Sequence, residues 1–157
     1  MKYTQLTKEQ FEELHAEFAK FLASQKIDVS EWEKIKKNNP KMADEELDLF
    51  SDLVWEKVLN RTEYLEHFSK DSINLFKCND KDMQRIVVKV NKKEIDLLNT
   101  EDFNWLVNNS KDASIDYFKG QKSYVKSRNM EVFDLIQQGS VLSKGELYRS
   151  ILKIISQ

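Results

Sequence analysis

Glycine and proline are scarce in this chain: three and one in 157 residues. Those residues normally punctuate irregular loops, so long unstructured connections are not expected. Gly-rich phosphate-binding loops and the Gly-x-Ser-x-Gly nucleophile elbow are excluded for the same reason. A single cysteine, Cys78, rules out an intramolecular disulfide and any cysteine-built zinc site. There are only two histidines, His15 and His67. Acid–base chemistry would have to rest on carboxylates, and no pair stands out among 27. No apolar run approaches the roughly 18 residues of a membrane span, and the first residues lack an apolar signal-peptide core. The expected setting is a reducing cytoplasm, with no membrane partner.

What remains is a charged, moderately apolar chain, 33% charged and 40% hydrophobic, with a net charge of −2. Its length suits a single compact domain, 1–157, with a self-supporting core. The near-neutral balance argues against a surface coated by nucleic acid. Charge is unevenly spread, with 9 Lys against 13 Asp and Glu in residues 1–60. No internal repeat, linker or low-complexity tract interrupts the pattern.

Residues 73–90 read as one antiparallel β-hairpin around the turn Asn79-Asp80-Lys81-Asp82. A four-residue turn pairs Cys78 with Met83 and Leu75 with Ile86. Alternation then gives Ile73, Leu75, Ile86, Val88 and Val90 one face, and Phe76, Cys78, Met83, Arg85, Val87 and Lys89 the other. The first is a core face, and two strands alone are marginal in water, so helices must cover it. Residues 94–97 alternate too, and fit a third short strand or a helical turn equally well.

The rest reads as helix. Thr7 with Gln10 forms a capping box that opens a helix to about residue 25, with Phe11, Leu14, Phe18, Phe21 and Leu22 on one stripe. Ser30 with Glu33 opens a second helix. Asn39 caps a third, with Pro40 at its first position, running to about residue 60. Residues 61–69 and 110–119 read as short helices, with another capped by Thr100 between them. A longer helix follows Gly120 as far as Gln138. Ser143 with Glu146 opens the last. The fold expected is α+β and predominantly helical, about six helices around one hairpin.

Two surfaces stand out for binding. Glu45, Asp48, Asp52 and Glu56 line one helix face with Trp55 beside them, a candidate protein contact. Lys119, Lys122, Lys126 and Arg128 interleave with Tyr124, Tyr117 and Phe118. Cations for phosphates and rings for bases suit single-stranded nucleic acid or RNA. For chemistry the pattern offers less. Glu12 and His15 have Glu-x-x-His spacing, but the di-iron pattern needs that motif twice, and Tyr64 stands three residues before His67. Cys78 with His67 is the one conceivable nucleophilic pair, without a local signature. No catalytic residue, metal or cofactor is assigned.

Several strings also occur together: MKYTQLTKEQFEELHAEFAKFL at the start, FSDLVWE (Phe50 to Glu56), YLEHFS, INLFKC, RIVVKV and VLSKGELY (Val141 to Tyr148). As a set they resemble a family of short, uncharacterised bacterial proteins classed as a domain of unknown function. The resemblance implies a bacterial cytoplasmic origin and assigns no residue a role. The function expected is a non-catalytic protein-interaction domain, adaptor or regulatory, with nucleic-acid binding through 117–128 as the alternative. The pattern leaves oligomeric state open.

Overall fold

Strands β2 (Ser72–Cys78) and β3 (Asp82–Val90) pair antiparallel, with Cys78 opposite Met83, Phe76 opposite Arg85 and Leu75 opposite Ile86. This is the register that the hairpin turn demands. The computed structural model describes all residues from 1 to 157, and in it the hairpin is the middle of something larger. With β1 (Tyr64–Phe68), β4 (Ile115–Ser123) and β5 (Val141–Ser143) it builds a five-stranded antiparallel sheet, in the order β4-β3-β2-β1-β5. There are seven helices: α1 (Lys8–Glu13), α2 (His15–Ser24), α3 (Val29–Asn38), α4 (Pro40–Arg61), α5 (Thr100–Asn108), α6 (Arg128–Gln137) and α7 (Glu146–Ile155). The class is α+β, but a single hairpin among six helices is not the architecture.

Three strands were not expected: β5 lies in the short connection before the last helix, and the other two are segments expected to be helical. Residues 64–68, YLEHF, and 115–123, IDYFKGQKS, are short and aromatic, and either period fits them. Pairing decides the matter, because the two edges of an isolated hairpin leave backbone groups open to further strands. β1 satisfies the β2 edge and β4 the β3 edge. Residues 94–97, which fit a strand or a helical turn equally well, form no strand but a pair of turns, closed by Ile95 N–H to Lys92 O and Asn99 N–H to Asp96 O. Ile95 and Leu97 are both buried from that turn, which is why they mimic a strand's alternation.

The chain divides into two compact units, residues 1–60 and 61–157. In the first, Leu22, Ile27, Trp32 and Ala43 form a core with Phe18, Phe21, Ile35 and Leu47 packed against it. The Phe18 ring lies 5.0 Å from that of Phe50 and meets Trp32 edge-on at 5.3 Å, so the phenylalanine stripe is inward. The helix expected over residues 7–25 breaks at Leu14 into α1 and α2. Both arms of the Thr7–Gln10 capping box form, and Asn39 caps α4 through the Met42 N–H. Asp28, rather than Ser30, caps α3, and Asn99, rather than Thr100, caps α5.

In the second unit, Ile73, Leu75, Ile86, Val88 and Val90 all face α5 and α7, packing with Leu106, Tyr148 and Ile151. Buried aliphatics of this kind stabilise by about 1.5–3 kcal/mol each, so this face fixes which side of the sheet points inward. The opposite face is covered only in part, and α6 runs beside it.

Candidate functional site

The partly covered face takes its side chains from the same alternation that built the core. His67 of β1, Asn74 and Phe76 of β2, Met83 and Arg85 of β3, and Gly120 and Lys122 of β4 point away from α5 and α7. Across from them, α6 supplies Glu131, Asp134 and Leu135, and the connection before it supplies Val125 and Lys126. Between the two lies an open groove of about 700 Å³, within the size range of ligand clefts. Phe76 and Met83 are buried and make its floor. Val125, 93% exposed, stands at its lip.

The walls carry charge. Lys122 Nζ reaches Glu131 Oε1 at 2.5 Å, and the Lys126 N–H donates to Glu131 Oε2 at 3.2 Å. Burial, the largest influence, pushes the Glu131 carboxyl up. The Lys122 bond and charge, with the Val125 and Lys126 amides, outweigh it and hold the carboxyl below the ordinary glutamate value. Lys126 Nζ sits 2.8 Å from Asp134, whose bond and charge raise the Lys126 amine. Arg85 differs. Its Nε and Nη2 donate to Asn74 Oδ1 at 3.1 and 2.5 Å. Its guanidinium lies over the Phe76 ring, 5.5 Å from the centroid. Both partners are neutral, so Arg85 is held in place without being neutralised.

A family model matches residues 1–156. The chain belongs to DUF6495, a family of unknown function. No curated protein and no solved structure matches it.

In this DUF6495 member the five residues of the basic cluster scatter. Lys122 and Lys126 enter the groove, each on a carboxylate. Lys119 pairs with Ile86 and so projects from the other face of β4. Tyr124 donates its hydroxyl to Asn79 O at 2.7 Å, and its phenol is pushed up to about 12, chiefly by burial. Arg128 is a strut. It donates to the carbonyls of Thr62, Cys78 and Asn79, tying the start of α6 to the ends of two strands.

The acidic stripe of α4 is occupied by the chain itself. Asp52 accepts the backbone N–H groups of Lys2 and Tyr3 at 2.7 and 2.9 Å. Glu56 accepts the Tyr3 hydroxyl at 2.5 Å, and Asp48 accepts from Gln5 at 2.9 Å. Burial first, then Glu56, raises the Tyr3 phenol. Glu45 remains exposed and Trp55 is half-buried. The large apolar side chains that α4 still shows outward are Met42, Leu49 and Leu53, three residues on one helical face.

The Cys78–His67 pair does not assemble. His67 is opposite Asn74, four residues along β2 from Cys78, or roughly 13 Å at strand spacing. Cys78 is buried and its thiol is pushed up to about 11 by that burial, with the Arg128 charge acting in the opposite direction. A thiol so protonated is a poor nucleophile. His15 turns its ring to the Glu12 carbonyl, 3.0 Å away, rather than toward the Glu12 side chain. No three His, Cys, Asp or Glu side chains converge to hold a metal ion. No helix is long and apolar enough to cross a membrane.

The groove went unseen in the sequence because Gly120 looks like a helix breaker there. The signal that could have found it is the alternation of Ile115 and Tyr117 just before. It makes the segment a strand and sets Gly120 beside Arg85.

Proposed function

We propose that the protein is a non-catalytic, cytoplasmic protein-interaction domain of bacterial origin, and that it takes its partner in the groove between β1–β4 and α6. One observation carries the reading: a cleft of about 700 Å³ with an apolar floor and a rim of charges, the composition of recognition sites rather than of a catalytic constellation. The lone, buried thiol of Cys78 fits a reducing compartment. The α4 stripe supports the same class of function less well, because residues 2–5 already occupy three of its carboxylates.

Nucleic-acid binding is the weaker alternative. Phe118 is 55% exposed on the groove's side of β4 and could stack on a base. Yet Lys122 and Lys126 are already neutralised by Glu131 and Asp134, and phosphate binding draws on cations free to replace counterions.

A photo-crosslinking amino acid placed at Val125, and separately at Leu53, tests the reading in native lysate. The expected result is a reproducible protein adduct from Val125 that Leu135→Asp abolishes. Adducts from Leu53 alone would move the interface to α4. The absence of any protein adduct, with salt-sensitive binding of a labelled thymidine dodecamer, would favour nucleic acid.

A further inference from the structure

Arg85 and Gly120 sit opposite each other in the β3–β4 ladder, and each is unusual for its place. Arg85 is exposed, yet its guanidinium is fixed on two sides, by Asn74 Oδ1 and by the Phe76 ring. An exposed arginine normally keeps its rotamer freedom. Here that freedom is already spent, while the charge is left without a carboxylate. This is the preorganised fork that recognises a planar anion.

Gly120 is a glycine where the fold asks for none. Its φ is not left-handed, and a Cβ added there would meet nothing within 4 Å. Glycine inside a strand weakens the strand, and where local geometry does not demand it, it marks the close approach of a ligand or another backbone. Gly120 lines the groove. Its missing side chain leaves open the space flanking Arg85.

We infer that Arg85 is a carboxylate-recognition residue, and that the groove takes an extended peptide segment pairing an acidic side chain with an apolar one. The carboxylate meets the free edge of the guanidinium. The apolar neighbour, on the opposite face of the extended chain, lies against Leu135 of α6. The peptide backbone passes over Gly120. Charge selects this occupant: the groove's lysines are already paired, and the one unmatched charge is the positive one of Arg85. The inference rests on the groove being the interaction surface and adds the chemistry of what it holds.

The test uses the full-length, ¹⁵N-labelled protein. Its probes are an acetylated, amidated hexapeptide of alternating leucine and glutamate, the same peptide with glutamine for glutamate, inorganic phosphate, and a thymidine dodecamer. The acidic peptide should shift the Arg85 Nε–Hε signal and the Gly120 amide, and bind about ten-fold or more tightly than the glutamine peptide. Arg85→Gln should remove that preference. Gly120→Val should weaken the acidic peptide about ten-fold or more without lowering the thermal midpoint, since valine suits an exposed strand and the site is open. Equal affinity for the two peptides would overturn the inference. So would a response of Arg85 to phosphate or the dodecamer at lower concentration than to the peptide, or no response to any probe. If the peptides fail while Val125 still crosslinks to a protein, carboxylate recognition falls and the groove stands. If both fail, both fall.

Discussion

Replacing Arg128 by methionine separates a strut from a binding residue. Arg128 Nε donates to Asn79 O at 3.3 Å and Nη2 to Cys78 O at 3.2 Å and to Thr62 O, while Nη1 holds Asn129 Oδ1 at 2.7 Å. A hydrogen bond to a charged donor contributes about 1.5–3 kcal/mol net. The bonds share one donor group and are not additive. Asn79 and Asn129 are also only part-buried and can take water. The expected loss is therefore about 2–4 kcal/mol. Cys78 supplies the assay, since its thiol is buried, 5% exposed, and raised to about 11. At pH 8 about one thiol in a thousand is ionised, so a disulfide reagent labels it through transient opening. The variant should label about 30- to 1,000-fold faster and unfold at lower urea. Loss of the Arg128 charge, which lowers the thiol's value, would by itself slow labelling. Faster labelling must therefore come from opening. Arg128→Lys keeps the charge but not the fork, and should recover only part of the loss. An unchanged labelling rate and urea midpoint would refute the strut and return Arg128 to the surface as a cation free to bind.

Other expectations follow from single contacts. Asp52→Asn removes the charge that holds the Lys2 and Tyr3 amides. It should cost about 1–2 kcal/mol and speed hydrogen exchange at those two amides, whereas unchanged exchange would mean the segment is held elsewhere. Glu131→Gln should cost about 1–3 kcal/mol at pH 7. Because the folded carboxyl titrates below its ordinary value of 4.5, its contribution is full above that pH. It is lost as pH falls through the lower folded value, so the urea-midpoint gap between wild type and variant should close in acid. A gap constant from pH 7 to pH 3 would contradict the ion pair. Ser140 Oγ is buried without a hydrogen-bond partner. Ser140→Ala should therefore raise stability by about 1 kcal/mol, and a lower melting temperature would show that the hydroxyl is used.

How much of this was legible depended on how local the cause was. The hairpin and its register could be read because both strands alternate and one short turn joins them. The strands at its edges could not, because their partners are remote: Tyr64 pairs with Ser143, and Val90 with Ile115. In YLEHF the aromatic and polar residues satisfy a helix as well as a strand, and only the unsatisfied β2 edge decides. The basic cluster was visible as composition, but alternation in β4 sends Lys119 and Lys122 to opposite faces, and α6 brings Glu131 and Asp134 to meet the lysines. The acidic stripe of α4 was visible too. Its occupant was not, because Lys2 to Leu6 is irregular and shows no period. Alternation alone puts Arg85 on the hairpin face opposite the core face, and there it stands. Its fixation by Asn74 and Phe76 needed the register across β2 and β3 as well.

The central claim is that partners are taken between the sheet and α6. The most direct measurement is a methyl-labelled NMR complex with the protein captured through Val125. Intermolecular contacts from the methyl groups of Met83, Val125 and Leu135 are the predicted result. Contacts confined to Met42, Leu49 and Leu53 on α4 would contradict it.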